Sequence, residues 1–353
     1  MKLVDWKFAV TVGHRLVRPG PVTTRHDARA VVEQLRSLAI DADQVVRDFT
    51  GLDAGDAEPV RVVDRRRWIT ANVDGFRFLL EPLLDKLAER RPPGVMTVSL
   101  GPMVTGAQIG MILAYLSQRV LGQYEIFLPP GQGAGRLTLV APNIVEIERE
   151  LGVDPRDFRL WVCLHEAAHR VQFSANPWLR EHLRSEIDEF LAATDLDPAA
   201  MLKRLRSVAG VVGDSLRGNG EASIADAVQT PEQKRILERV TAVMSLLEGH
   251  GEYVMNNVDA SVVPSSAEIH RKFDARRHQA RSADRVIRQL FGLDMKMRQY
   301  AEGSVFVAAV VERVGMAEFN HIWEGPHTLP TRAEITDPEA WIRRVLGADR
   351  LTT

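Results

Sequence analysis

Apolar residues recur at helical spacing along most of this chain. Trp6, Ala9, Val10, Gly13, Leu16 and Val17 keep that spacing after Asp5, and Pro19-Gly20-Pro21 stops the run. The same spacing predicts helices over Thr24 to Ala39 and Trp68 to Ala88, separated by the loop Gly51-Leu52-Asp53-Ala54-Gly55, with a break at Pro92-Pro93-Gly94. Asp154-Pro155-Arg156-Asp157 is a strong helix start. Asp154 suits the cap, Pro155 the first helical position, and Asp157 the positive helix end. Phe158, Trp161, Val162, Leu164, Ala168 and Phe173 make this helix too apolar to be solvated, and Asn176-Pro177 ends it. Thr230-Pro231-Glu232-Gln233 opens a second long helix with a capping box. Its stripe runs through Leu237, Val240, Met244, Leu247, Gly251 and Met255.

The β signal is confined to one place. Tyr124 to Leu128 and Arg136 to Val140 flank the loop Pro129 to Gly135 and predict a hairpin. The fold class is therefore mainly α with a small β hairpin or sheet. No internal repeat and no low-complexity tract is present, which excludes solenoids.

Composition narrows the setting. The chain has 353 residues, 45% of them hydrophobic, enough for one large core or two modest ones. A net charge of −2 gives no general attraction to nucleic acid or anionic membrane. The single cysteine, Cys163, rules out an internal disulfide and reads as a small buried apolar residue. Met1 to Trp6 lacks the apolar core of a signal peptide, and Met111 to Leu116 and Val305 to Val311 are too short to span a bilayer. The simplest expectation is a soluble cytoplasmic protein with no nucleic-acid or membrane partner; the oligomeric state is not legible.

The candidate chemistry sits inside the first of the two long helices. His165-Glu166-Ala167-Ala168-His169 places two imidazoles one turn apart on one face, because each residue advances about 100°. Both can reach one metal ion, and Glu166 stands where a carboxylate can take a proton from an activated water. The bland alternative is a pair of core histidines bonded to backbone, costly to bury unless every polar group is satisfied. A catalytic zinc site needs a third ligand, and Gln172-Phe173 supplies none. Glu248, at the border of the apolar stripe of the second helix, is the first candidate. Glu252 lies one turn on as the nearest competitor, and His250 points away by about 200°.

Leu247-Glu248-Gly249-His250-Gly251-Glu252-Tyr253-Val254 resembles the helix that carries the third zinc ligand in gluzincin aminopeptidases. More widely, Val120 to Tyr124, Trp161 to His169, Leu246 to Asn256 and Gln299-Tyr300-Ala301-Glu302-Gly303 resemble the actinobacterial zincin-like metallopeptidase family associated with deazaflavin-coenzyme biosynthesis. The resemblance implies a zincin-like metallopeptidase architecture. It makes His165, His169 and Glu248 ligands of Zn2+ and Glu166 the general base. It supplies no substrate. No Gly-x-Met-Glu-Asn type segment is present to anchor a substrate amino terminus, so exopeptidase activity does not follow.

On this reading residues 1–123 form a helical N-terminal region. Residues 124–353 form the catalytic region with a helical insertion at 177–229, the whole making one compact unit. Within the insertion, Trp178 to Ala193 and Ala199 to Val212 read as helices and Gly213 to Gly220 as a polar loop. In zincins an edge strand beside the motif helix pairs with extended substrate, and Arg136 to Val140 is the candidate for that role. A purely structural hairpin is the alternative.

Other candidates are less sharply marked. Tyr300 shares a stripe with Ser304, Val307, Val311 and Val314 and is a candidate oxyanion donor; Tyr253, His321 and His327 are weaker ones. Asp226, Glu252 and Asp259 could support the ligating histidines. From Arg271 to Arg298 there are nine Lys or Arg against three Asp, which reads as a solvated helix face or, alternatively, as recognition of an acidic peptide. The expectation is a zinc-dependent hydrolase of amide bonds, most naturally a metallopeptidase acting on a peptide or small amide. The alternatives are a non-catalytic, metal-stabilised interaction protein and a small-molecule amidase.

Overall fold

The computed structural model describes residues 3–55, 58–89, 101–129, 131–193, 230–278 and 293–351. The fold is mainly α with one small sheet. In chain order the elements begin with α1 (Trp6–Leu16), α2 (Arg25–Thr50), β1 (Arg61–Val63), α3 (Arg65–Glu89) and α4 (Gly101–Leu116). Next come β2 (Gly122–Glu125), β3 (Arg136–Val140), α5 (Ala141–Leu151), α6 (Pro155–Ala175) and α7 (Trp178–Ala192). Then follow α8 (Pro231–Asn257), α9 (Ser266–His278), α10 (Leu293–Phe319), which kinks at Gly315, α11 (Arg332–Thr336) and α12 (Pro338–Val345). Among the described residues no helix is long and apolar enough to cross a membrane.

The chain divides into two units, one of residues 1–176 and 250–296 and the other of 177–249 and 297–353. Both sides of position 123/124 lie in the first unit, because strand β2 itself runs across that point and pairs with β3. The second unit starts at Pro177, just before α7. The insertion residues after Ala193 lie outside the described residues, and so do the Ala199 to Val212 helix and the loop after it.

The first unit is built around α6. Fourteen of its residues are buried, from Asp157 to Phe173, so this helix is core on nearly every side. Leu35, Leu38, Ala39, Ala42 and Val46 of α2 pack in the same cluster as Trp161, Leu164, Ala168 and Val171. Helix α2 runs eleven residues past the expected end at Ala39, since Ala42, Val46 and Thr50 continue the buried face. The polar residues among them hid that continuation: Asp43 is only 3% exposed, and Arg170 of α6 neutralises it with a two-pronged ion pair. A second cluster holds Ala9, Trp68, Ile69 and Leu113 from α1, α3 and α4.

Among the described residues the sheet has three strands in the order β1-β3-β2. β2 and β3 form the expected antiparallel hairpin, but the first strand spans Gly122–Glu125 rather than Tyr124 to Leu128. β1 pairs in parallel with β3, Arg61 opposite Thr138 and Val63 opposite Val140. At three residues it is too short to leave a periodic signal. Its presence corrects the expectation for Arg136 to Val140. That strand is central, its backbone groups are taken on both sides, and it cannot receive a further strand. The edge beside α6 is β2.

In the second unit the sequence-predicted capping box is present, with Gln233 N donating to Thr230 Oγ1 at 3.1 Å and Thr230 N donating to Gln233 Oε1 at 3.0 Å. Helix α8 then meets α10 through glycine. A Cβ on Gly303 would run into the carbonyl of Ser245, and one on Gly249 into the backbone of Gly303. We expect Gly303→Ala to lower unfolding stability by about 2 kcal/mol, since the obstruction is backbone and cannot swing aside. Gly101→Ala, with open space around its Cβ, should stay within about 0.5 kcal/mol in the same denaturation assay.

Candidate metal centre

Helix α6 starts as its sequence predicts. Asp157 N donates to Asp154 Oδ1 at 2.9 Å, and Asp157 itself accepts from Ser265 N at 3.0 Å and Ser265 Oγ at 2.8 Å. Two turns on, the helix presents the paired imidazoles. The Nε2 atoms of His165 and His169 stand 3.2 Å apart, with the rings edge to face at 85°. Gly251 leaves room for them, since a Cβ there would lie 3.3 Å from His165 Nδ1.

Glu248, on α8, completes the group. His165, His169 and Glu248 each offer one ligand atom, and these atoms lie within 4.8 Å of one another. Tetrahedral zinc with bonds of about 2.0 Å to nitrogen holds its ligand nitrogens about 3.3 Å apart, close to the observed separation of the imidazoles. Two imidazole nitrogens and a carboxylate oxygen are also the donor set that zinc takes in hydrolases. The residues therefore fit the metal.

The hydrogen bonds behind His169 set its tautomer. Its Nδ1 lies 3.0 Å from Gln172 Oε1, which can only accept, so Nδ1 carries the proton and Nε2 keeps its lone pair for the cluster. Gln172 Nε2 in turn donates to His250 Nδ1 at 2.9 Å. His250 is fully buried. That burial, helped by the neighbouring His169, pushes its imidazole down to about 3, so it stays neutral. The partner of His169 is thus a glutamine one helical turn further on, not one of the carboxylates Asp226, Glu252 or Asp259 expected from the sequence.

Glu166 is 7% exposed and faces the edge strand. A Cβ on Gly122 would sit 2.5 Å from Glu166 Cγ and 2.7 Å from Oε1, so only glycine lets the carboxyl lie against β2. Cys163 is free and buried, its thiol pushed up by burial first and then by the charges of Glu166 and Asp41. It is an inert packing group, as its composition-level reading holds.

Several candidates are not brought to the cluster. Glu252 is absent from the ligand group. Tyr253 packs its ring against Phe49, Asp259 accepts from Ser261 N at 2.7 Å in its own turn, and His321 pairs with Glu324 on the surface. His327 is exposed. Tyr300 is on α10, but its side chain lies outside the described residues, as does all of Asp226. The basic stretch from Arg271 is described only in part. There Lys272 pairs with Glu268 at 2.8 Å and Arg276 with Glu150 at 2.9 Å, as a solvated helix face would.

The profile of the zincin-like metallopeptidases matches residues 4–342. The chain belongs to that family. No curated protein matches the chain. A crystal structure of a proposed hydrolase with a novel fold from Chloroflexus aurantiacus is similar at 32% identity and a TM-score of 0.70, over 97% of this chain and 98% of that one. Family membership implies a bound metal, usually zinc, and the His-His-Glu group is where these residues fit one.

Two outcomes test the arrangement behind the imidazoles. Gln172→Leu should weaken zinc affinity about 10- to 100-fold in chelator competition, because His169 loses the acceptor that fixes its tautomer. His250 has a lowered pKa in the folded state, so its stability contribution is full above pH 6.5 and falls as pH drops towards 3. In metal-free protein taken from pH 7 to 5, wild type should lose about 2 kcal/mol more than His250→Gln, read from denaturant midpoints.

Proposed function

We propose that this protein is a zinc-dependent metallopeptidase in which His165, His169 and Glu248 hold the metal and Glu166 is the general base. The supporting observation is the convergence of three ligand atoms within 4.8 Å, beside a buried carboxylate at an edge strand. A bound zinc ion would supply Lewis acidity, lowering the pKa of water and polarising a carbonyl.

The chain's own residues do the rest. Glu166, pressed against Gly122, takes a proton from the attacking water and passes it to the leaving amine. Gln172 and His250 keep His169 in the tautomer that presents Nε2. Among the described residues strand β2 pairs on one side only, next to Glu166, and its other side is suited to pair with an extended peptide, which brings the carbonyl to the carboxylate. Three ligands among the described residues leave a fourth position open. That favours a catalytic over a closed structural site, which takes four protein ligands. The narrower resemblance to the deazaflavin-associated group adds no substrate to this reading.

The test is turnover of a quenched-fluorescent peptide library by the zinc-loaded protein. Glu166→Gln should bind zinc as wild type does and lose about 10²- to 10⁴-fold in turnover, the usual contribution of a general base. Equal turnover by the two proteins would overturn the assignment.

A further inference from the structure

The hydrogen bonds of β2 fix which of its backbone groups face outward. Val140 N donates to Leu121 O at 2.8 Å, and the register carries the bonded pairs on to Gln123 with Thr138 and Glu125 with Arg136. The N–H and C=O groups of Gly122 and Tyr124 therefore point to the other side of the strand, where it has no partner among the described residues. Side chains alternate as well. Gly122 lies on the face that meets Glu166, whereas Gln123 and Glu125 lie on the opposite face, which α3 covers.

Two cavities lie between α3 and the sheet. The larger, of about 260 Å³, is lined by Arg61, Arg67 and Arg136 and reaches across to β1. The smaller, of about 180 Å³, is bounded by α3 and by the successive residues Gln123 to Phe127, with no residue of β1 or β3 on its wall. Gln123, Tyr124 and Glu125 alternate in face, so a cavity bounded by all three opens at the outer edge of β2. Its polar side chains are already engaged. Asn72 accepts from Gln123 Nε2 at 3.3 Å and donates to Trp68 O at 3.0 Å, and Glu125 is neutralised by Arg136 at 2.6 Å. The rest of the wall is apolar, chiefly Phe76, Leu79, Ile126 and Phe127, and Phe76 is 41% exposed. An apolar cavity of about 150 Å³ admits benzene, so this one has room for a single aliphatic or aromatic side chain.

A peptide added at that edge lies one strand spacing, about 4.8 Å, from β2. Its residue opposite Gly122 shares the face of Glu166. Its residues opposite Gln123 and Glu125, one and three positions along, turn to the α3 face beside the smaller cavity. Arg61, across β3 from Gln123, stands three spacings from such a peptide, so the larger cavity takes no part. We propose that Phe76 and Leu79 of α3, with Phe127, form a subsite for an aliphatic or aromatic side chain of the peptide substrate, one to three residues from the bond that is cut. The inference rests on the reading of β2 as the strand that receives substrate.

Binding and cleavage are measured separately. Zinc-loaded Glu166→Gln protein is titrated, by fluorescence anisotropy, with short labelled peptides blocked at both ends, in which one Leu, Phe or Ser is moved along a sequence of Ala and Gly. One register should bind about tenfold more tightly with Leu or Phe than with Ser. Adding Phe76→Ala and Leu79→Ala should erase that preference. Adding Phe76→Lys alone, at an exposed position, should weaken it and make Glu the favoured residue in the same register. Unchanged zinc affinity and circular dichroism serve as folding controls. Equal binding at every register, no peptide binding, or an apolar preference that survives both variants would overturn the subsite. Cleavage of these peptides by wild type with no such preference would overturn the subsite and leave the hydrolase reading standing. Apolar-dependent binding without any cleavage by wild type would instead overturn the hydrolase reading and leave the subsite standing.

Discussion

Burial of α6 makes every charged group held in its core costly unless it finds a partner within the protein. Arg170 meets Asp43, Arg159 meets the nearly buried Glu148, and Asp157 meets Ser265. Leaving any one of these groups unpaired in such a core would cost several kcal/mol. The same requirement acts on His169, whose Nδ1 is taken by Gln172. Beside it two imidazole nitrogens and a carboxylate oxygen gather within 4.8 Å. A divalent cation satisfies all three at once, and no neutral side chain does.

The sheet serves that cluster from both sides. Its Leu137 and Leu139 face joins the core around α6, while β2 brings a glycine backbone against Glu166. One strand thereby excludes solvent from the carboxyl and, among the described residues, leaves its outer edge unpaired beside it. The opposite face, under α3, is polar and holds the arginines of the larger cavity. A one-residue slip of β2 would turn Gly122 away from Glu166 and exchange the two faces.

Much of the scaffold was legible in local patterns. The caps of α6 and α8, the hairpin, the mainly α class and the burial of Cys163 all follow from interactions within a few residues of each other. So did the His165 and His169 pair, because helical spacing alone puts them on one face. Glu248 was named as third ligand from its place at the border of a stripe, and it does join the group. Longer-range features were hidden. The continuation of α2 depended on Arg170 neutralising Asp43, and β1 was too short for any periodicity to register. The role given to Arg136 to Val140 failed for a topological reason: nothing in that segment reveals that β1 would occupy its second edge.

By itself, the sequence determined which residues can bind a metal and which helices carry them, since those facts depend on period and capping chemistry. Only the tertiary structure decided which strand keeps a free edge and which glycine admits Glu166. It also decided that a glutamine rather than an acid steadies His169, and that two arginines on β1 and α3 face one cavity. These outcomes turn on contacts between residues far apart in the chain. Such contacts are set by how helices and strands close around one another, and no local pattern encodes them.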